Sequence, residues 1–279
     1  MAEFEIPYRG TDSEGRRFSL PVILVLLYTA VLLLAPIVAI SWGALASGFG
    51  VAYRALSSPD ALHALKLTLI LGVSASLFNA ILGLCAAWVL VRDKFWGQSF
   101  LNGVVDLPFA ISPVIAGLML ILLFGRGGWF EALPQALGTP IVFALPGMFL
   151  ATAFVSLPFV VREVMPVLRH LGTEGEDAAY TLGASPWQAF WYVTLPAIKW
   201  GMLYGVSLTF ARALGEFGAV LVVSGGVSGM TETATLFIFR SMDDRNYPAA
   251  YAMALVLALI SFALLMLIEL SKSRLREKQ

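Results

Sequence analysis

The sequence predicts an all-α, polytopic membrane protein of six spanning helices, and three observations carry that prediction. Of its 279 residues, 59% are hydrophobic and only 13% charged, about half the charged share of an ordinary soluble domain. Uncharged apolar runs recur along the chain, at residues 20–42, 67–91, 107–124, 141–161 and 247–268. Each is close to the roughly 20 residues that cross a bilayer as a helix. A sixth run, residues 200–223, is long enough as well, although it carries Arg212 and Glu216.

The elements follow in chain order. Residues 1–19 form a short cytoplasmic N-terminal segment. The run at 20–42 is followed by Ala44-Leu45-Ala46, which has the look of a signal-peptidase site. Its apolar core is far longer than the roughly 7–15 residues of a signal peptide, so a retained first helix is expected. The second run holds the lone Cys85, which has no partner for an internal disulfide and reads as packing. The third contains Pro108 and Pro113, positioned to interrupt its backbone ladder and expose amides or carbonyls. Prolines are common in membrane helices, so that reading stands beside a purely structural one. The fourth, fifth and sixth runs complete a single membrane domain over residues 20–270. The basic tail, 271–279, reads as a stop-transfer flank that meets anionic lipid.

Basic residues set the orientation. Twelve lie on the side of the N-terminus, the second and fourth loops and the C-terminus, among them Arg9, Arg16, Arg17, Arg92, Arg162 and Lys272. Four lie on the other side: Arg54, Arg126, Arg240 and Arg245. By the positive-inside rule both termini of this multi-pass protein are expected to be cytoplasmic.

Composition and motifs narrow the function. A formal net charge of zero gives no reason to expect nucleic acid. The string "GVSG" at 226–229 matches a short intramembrane serine-protease motif, but such chemistry needs a histidine base beside the serine. His63 is placed at the outer end of span two and His170 in a cytoplasmic loop, neither in a span near Ser228. No metal-binding or paired-cysteine spacing and no phosphate-binding loop occurs. The expectation is a protein with no catalytic residue, no metal and no cofactor of its own.

The informative segment is the cytoplasmic elbow at about 173–196, "TEGEDAAYTLGASPWQAFWYVTLP". Thr173 and Glu176 have capping-box spacing, which predicts a short helix through Leu182. Its first turn is acidic, suiting the positive end of the helix dipole, and Gly183 fits a left-handed stop. Ser185, Pro186 and Gln188 start a second helix, and Pro196 marks its end or a kink into span five. Two readings remain open: an amphipathic surface helix, or a docking corner whose alanine pair and glycine admit the close approach of another protein.

Asp177-Ala178-Ala179, Gly183, Val193 and Leu195-Pro196 resemble, in identity and spacing, the "EAA…G………I.LP" loop of type I ABC importer permeases. The chain departs by Asp177 for glutamate and Val193 for isoleucine. Further segments, "DLPFAISPVIAGL" (106–118), "PFVVREVMPVL" (158–168) and "ARALGEFGAVLVVSGG" (211–226), are similar to the sulfate/thiosulfate branch of that family, its CysW-type permeases, over roughly residues 20–270. Molybdate and tungstate permeases share much of the pattern, and an ion-gradient-driven anion carrier is the alternative outside the family. The resemblance implies that Asp177, Ala178, Ala179, Gly183, Leu195 and Pro196 form the coupling loop that sits on a cytoplasmic ATPase. It also implies a second, related permease as heterodimer partner, two ABC ATPase subunits that bind the ATP, and a periplasmic sulfate-binding protein.

Within the membrane, Arg212 and Glu216 have i,i+4 spacing, so the expectation is one face of span five. Buried ionisable groups usually face the bundle interior and pair. A structural ion pair and an arginine that draws in the anion are both open. Ser112 and Ser207, with Thr209 behind them, offer polar groups for a weak pathway, since an ion held too tightly does not leave. Phe109 reads either as a hydrophobic gate or as lipid packing. The loop at 224–246 holds Arg240, Asp243, Asp244 and Arg245. It reads as a solvated outer loop, and the resemblance implies that it meets the binding protein.

Overall fold

The computed structural model describes residues 20–276, and every regular element among them is helical. The expected segment 1–19 and residues 277–279 lie outside the described residues. In order the elements are α1 (Leu20–Ala46), α2 (Phe49–Leu56), α3 (Pro59–Arg92), α4 (Gln98–Ala110), α5 (Pro113–Phe124), α6 (Ala132–Leu137) and α7 (Leu145–Leu171). They continue with α8 (Glu174–Thr181), α9 (Pro186–Ala189), a π-turn (Phe190–Thr194), α10 (Leu195–Leu214), α11 (Gly218–Val223), α12 (Ala234–Asp243) and α13 (Tyr247–Arg276). Among the described residues, four helices are long and apolar enough to cross a membrane: α1, α3, α7 and α13 over Tyr247–Leu267. The broken pair α4–α5 makes a fifth if it counts as one span. α10 supplies a sixth by length, 20 residues or about 30 Å at 1.5 Å per residue, though Lys199 and Arg212 make it less apolar. α13 continues as helix into the basic tail, as far as Arg276.

Two of the expected spans are interrupted. The run at 107–124 is not one helix: α4 and α5 meet at 114°. Pro108 is accommodated inside α4, whereas Pro113 opens α5, and the preceding Ser112 is held at φ −58°, ψ 137°. A residue before proline is driven out of helical conformation by the ring, and the chain turns there. The run at 200–223 is likewise split. Its helix begins earlier, at Leu195, ends at Leu214, and resumes as the six-residue α11.

The centre of the molecule is α3, α7 and α10, packed side by side. One apolar cluster joins Leu71, Met148, Val155 and Val220, and a second joins Ala87, Val160, Val164, Leu168 and Ile198. A third ties α12 and α13 to the start of α3 through Ala64, Phe237 and Met253. At Val160 all three central helices approach one another closely. A Cβ added at Gly83 of α3 would stand 2.8 Å from its Cβ, and one at Gly205 of α10 would stand 3.1 Å from its Cα. In lipid, helices associate through such close backbone approach and a few interhelical hydrogen bonds. Asn79, fully buried on α3, donates to the Ala153 carbonyl at 2.9 Å and to Ser156 Oγ at 3.0 Å on α7. By contrast α1 lies on α13 and buries only Ala44.

Candidate functional site

The elbow folds into a corner of two short helices. The expected capping box at Thr173 is not formed: its side chain makes no cap hydrogen bond, and its backbone is in the αR region rather than the extended conformation a cap requires. Glu176 has instead turned inward. Its Oε1 accepts from Arg92 Nη2 at 2.8 Å and from Thr194 Oγ1 at 2.8 Å. A buried cation satisfies the carboxylate better than an exposed amide would. The other start is as expected. Ser185 and Gln188 form a reciprocal capping box with Pro186 at the first position.

Gly183 takes the left-handed conformation, φ +87°. Its amide donates to the Tyr180 carbonyl and that of Ala184 to the Ala179 carbonyl, each at 3.0 Å. These two bonds close α8 as a Schellman motif. After α9 the chain does not stop at Pro196, which lies inside the next helix. A single π-turn, in which the Leu195 amide reaches the Phe190 carbonyl, leads straight into α10. The widened turn accommodates a proline at the second position of α10, which has no N–H to donate and whose ring crowds the preceding turn.

The corner presents a distinct outer face. Asp177, Ala178 and Gly183 are exposed, and a Cβ at Gly183 would meet nothing of this chain. Leu182 is 89% exposed, with Trp187 and Tyr192 exposed nearby. Ala179 and Leu195 are half-buried, and Pro196 is exposed. The inner side is held by rings: Trp88 of α3 meets Phe190 edge-on at 5.6 Å, and Phe190 stacks on Trp187 at 5.9 Å. The arrangement leaves small residues and the carboxylates of Glu174 and Asp177 exposed on a ring-backed support.

The membrane residues are only partly brought together. Arg212 Nη1 lies 2.9 Å from Glu216 Oε2, with side-chain exposures of 30% and 3%. They do not share a helix face as expected, because Glu216 lies beyond the end of α10. Gly215 ends that helix, and Glu216 Oε1 accepts the Ala219 amide at 2.9 Å at the start of α11. The contact is Coulombic, for Oε2 accepts no aligned hydrogen bond. The break at Ser112–Pro113 sits against this same place: a Cβ at Gly218 would be 3.2 Å from Pro113 Cβ. Two helix breaks thus face each other, and the exposed Ser112 is beside them. Phe109 packs edge-on against Phe159 of α7 at 5.3 Å while remaining 55% exposed. Ser207 and Thr209 are buried within α10, and Thr209 Oγ1 donates to the Gly205 carbonyl at 2.9 Å.

Sequence reasoning missed three further ion pairs among the described residues. Arg162 of α7 grips Asp106 of α4 through two hydrogen bonds, that from Nε at 2.7 Å. The expected outer loop at 224–246 contains a helix, and Arg240 lies in the last turn of that helix, α12, where it is not simply solvated. Its Nε donates to Glu232 Oε1 at 2.6 Å, and Asp60 Oδ2 lies 3.7 Å from its Nη2. The hydrogen bond it donates to Glu232 holds the Arg240 guanidinium above its ordinary pKa, against the opposing effect of burial. Long sequence separation hid the Arg162 and Asp60 contacts. Ser228 Oγ donates to Asp60 Oδ2 at 2.8 Å. His63 is closer to this loop than its sequence position implied, with Nε2 on the Met230 carbonyl at 3.2 Å. His170 lies in the last turn of α7 rather than in a loop.

The family described as "Binding-protein-dependent transport system inner membrane component" matches residues 79–277. The chain is 47% identical over 253 residues to the sulfate transport system permease protein CysW of Synechocystis sp., covering 91% of this chain and 92% of that one. It is 41% identical to the protein of the same name from Escherichia coli K12, covering 91% and 87%. It is 38% identical to the CysT permease protein of that organism, covering 92% and 93%. In fold it is similar to a chain of a bacterial ABC transporter involved in the import of alginate. The TM-score there is 0.74 at 15% identity, covering 91% of this chain and 94% of that one.

Proposed function

The chain belongs to the family of binding-protein-dependent transport system inner membrane components, and we infer from that membership that it is the membrane-spanning permease subunit of an ATP-driven ABC importer for sulfate. The observation that carries this reading is the whole-length likeness to sulfate permeases at 47% identity. The subunit resides in the inner membrane with both termini cytoplasmic. It pairs with a related permease of the CysT kind, with two cytoplasmic ATPase subunits, and with a periplasmic protein that delivers the anion. ATP is bound and hydrolysed by the ATPase partners.

On this reading the corner of α8 and α9 is the ATPase contact. Its outer face of Asp177, Ala178 and Gly183 supports that role, because small residues let a partner backbone approach and the left-handed glycine fixes the turn. The π-turn joins the corner to α10 with no intervening loop, and on this reading a displacement of the corner travels along that helix to the opposed breaks at Ser112 and Gly215. Irregular backbone inside a membrane is tolerated where it lines a cavity or is covered by protein. Arg212, neutralised by Glu216 but still partly exposed, offers the weak attraction that a transported dianion requires. The test is uptake of labelled sulfate in proteoliposomes holding the full complex. Uptake that requires both ATP and the binding protein is expected. Uptake without ATP would mark a gradient-driven carrier, and uptake abolished by an excess of molybdate over sulfate would mark a molybdate or tungstate permease.

A further inference from the structure

We propose that Glu176 is a positioning residue that ties the corner to α3 as well as to α10, so that the two helices follow the corner together. The proposal rests on the corner being the ATPase contact. By covalent connection alone, a displaced α8 pulls α7 through Gly172 and α10 through α9 and the π-turn. It has no covalent link to α3, whose last residue, Arg92, is 84 positions away. Glu176 supplies that link. One oxygen, Oε1, accepts from Arg92 on α3 and from Thr194 at the entrance of α10, both at 2.8 Å.

The surroundings make this a firm contact. Arg92 and Glu176 side chains are 11% and 7% exposed, so solvent neither screens nor replaces them. Among the described residues Glu176 is the carboxylate paired with that guanidinium, whose buried Nε has no hydrogen-bond partner. Arg92 Cζ also lies 5.7 Å from the centre of the Trp88 ring, and Trp88 meets Phe190 of the π-turn. Beneath α8, a Cβ on Gly175 would come within 3.1 Å of Val193 Cγ1, so the helix lies close on the π-turn.

The consequence reaches across the membrane. α3 has 34 residues, about 50 Å at 1.5 Å each. At its far end Asp60 accepts from Ser228 and faces Arg240. A corner tied to α3 is therefore in mechanical connection with the outer loop through one continuous helix, a connection that must be shown as coupling rather than read from proximity.

The experiment uses the assembled complex in proteoliposomes with its binding protein, comparing the native permease with Glu176→Ala and Glu176→Gln. The expected result is that the ATPase still co-purifies with both variants, because the outward face is untouched. Sulfate uptake falls about tenfold or more for alanine, within the usual range of coupling between sites, and less for glutamine, which keeps an acceptor oxygen. Native uptake in the alanine variant overturns the proposal. Loss of the ATPase together with uptake also overturns it, since Glu176 would then merely build the docking face. Failure of the corner reading itself shows separately, as unchanged ATPase association when Gly183 is made bulky. A second measurement leaves the brace intact. Spin labels at Asp93→Cys and Glu174→Cys, in a Cys85→Ala background, should keep one separation with and without ATP. A change of more than about 5 Å, roughly one helical turn, overturns the proposal even if the Glu176 variants do not fold.

Discussion

The carboxylate of Glu216 lies past the end of the helix that carries Arg212, yet the two side chains meet at 2.9 Å and the same carboxylate caps the start of α11. Glu216 therefore serves two structures, and its loss should cost more than that of its partner. Arg212→Ala leaves a buried carboxylate that still holds the Ala219 amide. We expect a loss of about 2–3 kcal/mol, below the 3–5 of a fully buried pair, because the guanidinium is partly exposed. Arg212→Met with Glu216→Leu should recover the ionic part and still lack the cap, worth about 1 kcal/mol. Thermal stability in detergent and uptake in proteoliposomes, measured side by side, check this. Stability regained without uptake places the pair on the translocation pathway, and both regained makes it structural.

Gly183 separates backbone strain from steric approach. A β-branched residue at φ +87° costs about 1–2 kcal/mol of local strain, so Gly183→Ile should disturb the turn and weaken ATPase association together. Gly183→Asn tolerates the left-handed conformation and adds bulk to an open face. Its expected signature is native stability with reduced ATPase co-purification. Native co-purification of both variants would leave the elbow as a membrane-surface helix.

The orientation has a direct test. In a Cys85→Ala background, a cysteine at the exposed Val227 should react with an impermeant thiol reagent on intact cells, and one at the exposed Lys94 only after permeabilisation. The reverse pattern would invert the topology.

The approach of three helices at Val160 predicts an intolerant core. Gly83→Ala places a methyl group 2.8 Å from Val160 Cβ, closer than side chains pack, so α3 and α7 must move apart. A loss of about 1–3 kcal/mol is expected for such overpacking, read as a lower midpoint of thermal unfolding. Gly103→Ala, whose Cβ meets nothing, should leave that midpoint close to native.

Much of the protein is written locally. Hydropathy alone marks the apolar helices, because a bilayer imposes one length and one backbone solution on whatever crosses it. The Gly183 stop and the Ser185–Gln188 box were legible for the same reason: each is settled by residues within five positions of one another. The tertiary structure decided what competes over distance. Thr173 and Glu176 have the spacing of a cap, but Arg92 arrives from 84 residues away and takes the carboxylate, since a charge pair out of water outweighs an exposed amide. The runs at 107–124 and 200–223 look continuous as hydropathy. Pro113 marks the first break locally, at Ser112; the second, at Gly215, has no such local mark, and it is the tertiary structure that sets α11 against α5 so that the two breaks face each other. Local sequence could name the residues of the corner and of the membrane pair; which of them face outward and which are held inside depended on helices meeting that the chain keeps far apart.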